Sequence, residues 1–337
     1  MRRNGKGILA VVIGLSLLGA GGGASAQAQL EDALVVYSAA DAALVNSVVA
    51  AFNKKYPAIK MSTVVAGTGE LIKRIEAERE RPLGDIAWSL GLEAVAATKA
   101  LFEPYLSREA PSFVPGQLPA DRLWTPFTTM PYVIMYNKKL VGEADRPESW
   151  TDVLHPRWKG KVAYADATKS GSSYTLLVTW LTLYGKGEAG WGFVENLLRQ
   201  SKVLPKSAMT YKGVADGEYP IGLTFEYGAY DFVRGGAPVG IIYPAEGTAV
   251  IPDGSALIKN ARHPKAARAF LDFTVSREIQ QLVVEKFGAR SVRKDVGPPP
   301  GLPSLEAIKA IAYDMEWAGS ARVELLRKFQ DILIKTQ

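Results

Sequence analysis

The sequence predicts an α/β protein in two lobes, with parallel sheets flanked by helices. Three observations predict it. From Ala33 onward, apolar runs of strand length alternate with stretches of helical period, the rhythm of a parallel sheet. One long extended run, Thr125 to Asn137, breaks that rhythm and is long enough to cross from one lobe to the other. Strand ends and helix starts repeatedly carry small polar or acidic residues, and open parallel sheets hold ligands outside the carboxyl ends of their strands.

Taken in order, Ala33-Leu-Val-Val-Tyr-Ser38 is the first buried strand, apolar on both faces and polar at its end. Residues 40–56 place Leu44, Val48, Val49 and Phe52 at helical spacing, and Pro57 stops that helix. Residues 60–65 form a second strand. Gly67-Thr68-Gly69 opens a helix over 70–81, and residues 84–89 are a third strand ending in Trp88-Ser89. The crossing run at 125–137 follows, then a turn and short helix at 147–154. Residues 160–165 are a short buried strand, and 174–184 a helix stopped by Gly185. A helix at 191–200, a turn at 214–220 and a strand at 221–225 come next, the strand ending in Glu226-Tyr227-Gly228. A helix begins at Tyr230. Strands follow at 239–243 and 255–258, helices at 264–276 and 278–287, a proline-rich surface linker at 296–303 and a helix over 306–335.

Between the strand at 160–165 and its following helix stand Ser170, Gly171, Ser172 and Ser173. A hydroxyl at such a turn caps the helix. The remaining hydroxyls and free N–H groups, at the positive end of the helix dipole, suit an anion. A cap alone and an anion pocket are both compatible with this stretch.

The chain of 337 residues has length for about two domains. It has no cysteine, which removes disulfides, thiolate metal sites and a cysteine nucleophile. Its two histidines, His155 and His263, leave little material for a histidine zinc site or a serine–histidine triad. Residues 1–26 read as a secretory signal: Arg2, Arg3 and Lys6, an apolar stretch, then Ala24-Ser25-Ala26, with cleavage after Ala26 or Ala28. The apolar stretch is short for a membrane span and ends in glycines. Removing those three positive charges takes the formal charge from +6 to +3, and no dense basic run with interleaved aromatics remains, so no nucleic-acid partner is expected. The mature protein is expected to be soluble and periplasmic.

At several blocks the chain resembles the periplasmic substrate-binding proteins of ABC importers, in the branch that includes ferric-iron, sugar-phosphate and 2-aminoethylphosphonate binders. The resemblance rests on Leu34-Val-Val-Tyr-Ser-Ala39, Gly67-Thr-Gly-Glu-Leu71 with Arg74, Gly84-Asp-Ile-Ala-Trp88 and Tyr136-Asn137. It continues through Pro147-Glu-Ser-Trp-Thr-Asp-Val-Leu154, Pro156-Arg-Trp-Lys-Gly-Lys161, Glu246-Gly-Thr248, Pro252-Asp-Gly254 and the block from His263 to Phe273. It implies a two-lobed periplasmic-binding-protein fold of type II, with two hinge strands and a ligand cleft between the lobes. Lobe 1 would be 33–129 plus 252–296, and lobe 2 would be 130–251 plus 297–337. It further implies a monomer that closes on a small anionic ligand and delivers it to a membrane permease with a cytoplasmic ATPase, without a cofactor.

Within that resemblance two ligand classes compete. Iron binders of this family carry two adjacent tyrosines after the strand that corresponds to residues 221–225. Here that place reads Glu226-Tyr227-Gly228-Ala229-Tyr230, so an oxygen site from Glu226, Tyr227 and Tyr230 would lack paired phenolates. A phosphorylated or phosphonate ligand finds Ser38 and Ala39, Gly67, Thr68 and Gly69, and Ser170 to Ser173 at helix starts. Ser89 and Thr129 add hydroxyls, Trp88 and Tyr227 an organic surface, and Glu226 a carboxylate for an amine or sugar hydroxyls; Glu246 stands where the resemblance implies the second hinge, as a hinge residue or a ligand contact. The expected ligand is therefore a small organic phosphate or phosphonate. A secreted hydrolase is the competing class, but Ser172 lacks the Gly-x-Ser-x-Gly setting and neither histidine is placed to activate it.

Overall fold

The computed structural model describes residues 30–336. The signal expected at 1–26 lies outside the described residues. The chain runs β1 (Ala33–Ser38), α1 (Ala42–Lys55), β2 (Lys60–Val65), α2 (Thr68–Ala77), β3 (Ile86–Leu90), α3 (Leu92–Ala97), β4 (Phe102–Glu103) and β5 (Thr125–Asn137). β1 pairs in parallel with β2 and with β3. All five residues of β3 are buried, as expected of a strand covered by helices on both faces. α1 turns Leu44, Val45, Val48 and Phe52 inward, and Phe52 meets Phe270 and Phe273 edge to face at 5.2 and 5.3 Å.

The chain continues with β6 (Val162–Ala165), α4 (Gly171–Tyr184), α5 (Glu188–Gln200), β7 (Ser201–Leu204), α6 (Ser207–Ala215), β8 (Ile221–Phe225), α7 (Glu226–Arg234), β9 (Val239–Ile242) and β10 (Val250–Ile258). It ends with α8 (Pro264–Thr274), α9 (Arg277–Phe287), β11 (Arg290–Ser291), α10 (Met315–Ser320) and α11 (Arg322–Thr336). β6 pairs in parallel with β7 and β8.

β5 is the run predicted to cross. All 13 of its residues are buried. Its first part pairs antiparallel with β10 and β11, and its second part, from Tyr132, with β8 and β9. One strand thus serves two ladders, in the order β2-β1-β3-β10-β5-β8-β6-β7.

Three expectations are corrected. The helix expected over 306–335 is α10 and α11 only. Residues before it lie extended because Thr248 N–H donates to Lys309 O and Ile311 N–H donates to Thr248 O, each at 2.9 Å. α7 begins at Glu226, four residues before the predicted Tyr230. β7 and α6 occupy a stretch for which the sequence reading assigned no element.

Candidate functional site

A cavity of about 460 Å³ opens where helix starts from both ladders meet. α1 brings Ala39, Ala40, Asp41 and Ala42; α2 brings Gly67, Thr68 and Glu70; α4 brings Lys169, Ser170, Gly171 and Ser172; α6 brings Lys206, Ser207 and Ala208. Ser89 of β3 and Gly91 after it, Met130 of β5, Phe225 and Tyr227 around the start of α7, and Asp253 of β10 also line the cavity. A helix start leaves backbone N–H groups without intrahelical partners and carries the positive end of the dipole.

The hydroxyls of Ser170, Ser172 and Ser207 form a closed triangle with sides of 3.0, 2.6 and 2.9 Å. Ser170 Oγ also accepts the Ser173 N–H at 3.2 Å, the cap the sequence predicts. Lys169 Nζ stands 3.1 Å from Asp166 Oδ2, whereas Lys206 has no carboxylate partner among the described residues. Two lysines and three serine hydroxyls thus belong to the wall around the starts of α4 and α6.

The starts of α2 and α4 touch through backbone. Gly69 N–H donates to Lys169 O at 3.4 Å; beside this seam Gly91 N–H, at the start of α3, donates to the Thr68 side-chain Oγ1 at 3.3 Å. A Cβ at Gly67 would stand 2.3 Å from Lys169 O, one at Gly69 2.2 Å from Thr168 O, and one at Gly171 2.6 Å from Thr68 Oγ1. Only glycine permits this approach.

The acidic side of the cavity is more deeply set. Asp253 accepts from the Ser89 hydroxyl and from Thr128 N–H and Oγ1 at 2.8 and 2.7 Å, and burial pushes its carboxyl above the usual range. Burial likewise raises Asp41, opposed by the hydrogen bond from the Tyr211 hydroxyl. Burial pushes the Tyr227 phenol well above its ordinary value.

Of the predicted site residues, Ala39, Gly67, Thr68, Ser89, Ser170, Gly171, Ser172 and Tyr227 line the cavity. The others stand elsewhere. Ser38 Oγ is fully buried and accepts the Ala40 N–H at 3.2 Å. Gly69 lies in the backbone seam and Ser173 behind the cap. Trp88 packs in the core, edge to face with Phe127 and Phe270, each at 5.3 Å. Thr129 accepts from Gln117 Nε2 at 2.8 Å. Glu246 fixes the 147–154 turn, accepting from Trp150 N–H at 3.1 Å and the Tyr184 hydroxyl at 2.8 Å.

The alternative metal set is not assembled. Glu226 is gripped by Arg290 through Nε at 2.7 Å and Nη2 at 2.9 Å, with both side chains buried, and also accepts from the Tyr243 hydroxyl. The Tyr230 hydroxyl donates to Pro300 O. A Cβ at Gly228 would stand 2.7 Å from the Phe225 ring, so the place of a second adjacent tyrosine is occupied by neighbouring side chains.

Neither histidine reaches Ser172. His155 Nδ1 accepts the Arg157 N–H at 3.2 Å, and His263 Nδ1 lies 2.9 Å from Asp85 Oδ2. Sequence reading missed Asp41, Lys169, Lys206, Ser207 and Asp253. The run Leu204-Pro205-Lys206-Ser207, an apolar end followed by proline and a small hydroxyl, carries a helix-start signal that identifies α6.

Comparison with known proteins places this geometry. Residues 93–315 match the family model described as bacterial extracellular solute-binding protein. An uncharacterized protein of Haemophilus influenzae is 29% identical over 95% of this chain and 96% of its own. A putative 2-aminoethylphosphonate-binding periplasmic protein of Salmonella paratyphi A is 26% identical over 72% of this chain and 73% of its own. Iron uptake protein A1 of Synechocystis is 26% identical over 67% of each. Among solved structures, the periplasmic binding protein AfuA from Actinobacillus pleuropneumoniae, with exogenous fructose-6-phosphate bound, superposes with a TM-score of 0.84 at 26% identity over 90% of this chain and 99% of that one. With two α/β ladders joined through one shared strand, a cavity at their helix starts and a family model spanning residues 93–315, the chain belongs to the bacterial extracellular solute-binding proteins.

Proposed function

We propose that this protein is the periplasmic solute-binding component of an ABC importer, and that it captures a small phosphorylated or phosphonate organic anion in the cavity and delivers it to a membrane permease. The lobes that close on it are 33–129 with 252–296, and 130–251 with 297–337. The observation that carries the ligand class is the convergence of four helix starts, from α1, α2, α4 and α6, on one space also lined by Lys169, Lys206 and the Ser170–Ser172–Ser207 triangle. Helix-start amides hold phosphoryl oxygens without the cost of burying a full countercharge. A volume of about 460 Å³ is of the size that encloses an organic ligand and exceeds what a bare ion needs.

Iron is the second reading, motivated by the relatives that take up iron and by Tyr227 in the wall. The Arg290-bound Glu226 and the filled space at Gly228, where a second adjacent tyrosine would stand, weigh against it, because Fe³⁺ requires several anionic oxygens free to coordinate. The test is a thermal-shift screen followed by calorimetry, with sugar phosphates, phosphonates, inorganic phosphate and ferric citrate. A tight guest raises the melting temperature by mass action. Stabilisation by organic phosphates or phosphonates is expected; stabilisation by ferric citrate alone would overturn the reading.

A further inference from the structure

Asp41 has unusual geometry for its position. It is the residue before α1, where an aspartate ordinarily caps the helix with its own carboxylate, yet its side chain makes no capping bond. The carboxylate turns instead to α6, where Oδ1 accepts the hydroxyl of Tyr211, 170 residues away in sequence. Asp41 lines the cavity, and Oδ2 has no second protein partner among the described residues. One oxygen is thus anchored by a fixed donor from the opposite ladder, and the other, at a residue of the cavity wall, has no hydrogen bond from the protein among the described residues. The charges are segregated in the same sense: Lys169, Lys206 and the serine hydroxyls come from α4 and α6, whereas Asp41 and Glu70 come from α1 and α2, and Asp253 is fully engaged by Ser89 and Thr128.

From this geometry we infer that Asp41 is a specificity-determining residue: its free Oδ2 receives a hydrogen-bond donor, an ammonium or a hydroxyl, on the part of the guest remote from the phosphoryl group. Tyr211 is the positioning residue that aims it. This rests on the reading above, with the phosphoryl group at the starts of α4 and α6 beside the serine triangle. A guest without such a donor leaves a desolvated carboxylate oxygen unpaired, so the pocket discriminates by a penalty as well as by an attraction.

The experiment measures affinities of the full mature protein by calorimetry for four probes: inorganic phosphate, a hexose monophosphate, the corresponding amino-hexose monophosphate, and cyclohexylmethyl phosphate, which has the same bulk and no donor. The variants are Asp41→Ala, Asp41→Asn and Tyr211→Phe, each first checked for a native melting transition. The unaltered protein is expected to prefer a donor-bearing probe over cyclohexylmethyl phosphate by about tenfold or more, the scale of one hydrogen bond to a charged acceptor. Asp41→Ala is expected to bring that ratio close to one and leave inorganic phosphate unchanged. Tyr211→Phe is expected to lower the ratio without abolishing it. Asp41→Asn tests the same contact: removing the charge while keeping an acceptor is expected to penalise the ammonium probe more than the hydroxyl probe, and no penalty on either probe overturns the inference. Equal weakening of all four probes by Asp41→Ala assigns the residue a purely structural role and overturns the inference. An unchanged ratio also overturns it, while the phosphoryl reading stands. If no phosphorylated probe binds the unaltered protein, the phosphoryl reading falls and this inference falls with it.

Discussion

The hydroxyl of Ser207, at the first residue of α6, lies 2.6 Å from that of Ser170, at the cap of α4. This one contact joins two helix starts that sequence separates by 37 residues. It converts a simple helix cap into one corner of a donor cluster. Each hydroxyl has one proton and can rotate it, so the triangle can reorient its three protons toward an anion.

Replacing Ser172 and Ser207 together with alanine should leave Ser170 free to cap α4 and the melting temperature near its original value. Affinity for a phosphorylated probe should fall by about 1.5–3 kcal/mol for each hydrogen bond lost to a charged oxygen. Ser173 is the control. It lies behind the cap with its N–H on Ser170 Oγ, so Ser173→Ala should leave affinity unchanged in the same calorimetry.

Gly69→Ala places a methyl group 2.2 Å from Thr168 O, which is backbone and cannot rotate away. The starts of α2 and α4 must then separate. Affinity should fall by about 1–3 kcal/mol, the scale of an overpacked contact, and small-angle scattering should show a larger radius in the presence of ligand than the unaltered protein shows. An unchanged affinity would mean that the seam does not need this close approach for binding.

The buried Glu226–Arg290 pair should be costly to break from one side. Arg290→Met leaves a carboxylate without its partner in a site where both side chains are buried. Stability should fall by about 3–5 kcal/mol in denaturant unfolding. Adding Glu226→Leu should recover much of that loss, because the uncompensated charge goes with it.

Asp253 gives a pH dependence with a defined sign. Its carboxyl is raised in the folded protein above the ordinary 3.8, chiefly by burial. The folded state therefore binds the proton more tightly than the unfolded chain. Its contribution is fully present below 3.8 and is lost as pH rises through the raised folded value. The difference in melting temperature between Asp253→Asn and the unaltered protein should grow in favour of the variant across that interval. A flat difference would show that the carboxyl titrates alike in both states.

By itself the sequence determined the layered α/β fold, the crossing strand at Thr125–Asn137, and two helices expected over 70–81 and 174–184, which in the structure begin at Thr68 and Gly171. These follow from local patterns: apolar runs of strand length, helical period, glycine and serine at turns. Ser170 as a cap was legible for the same reason. Only the tertiary structure decided which polar side chains reach the cavity. Glu226 looked available until Arg290, 64 residues on, claimed it. Trp88 went to the core because Phe127 and Phe270 flank it. Asp41 entered the site because Tyr211 turned it away from its own helix. Periodicity fixes where a residue stands along an element, but the direction in which a polar group finds its partner is set by packing between segments far apart in the chain.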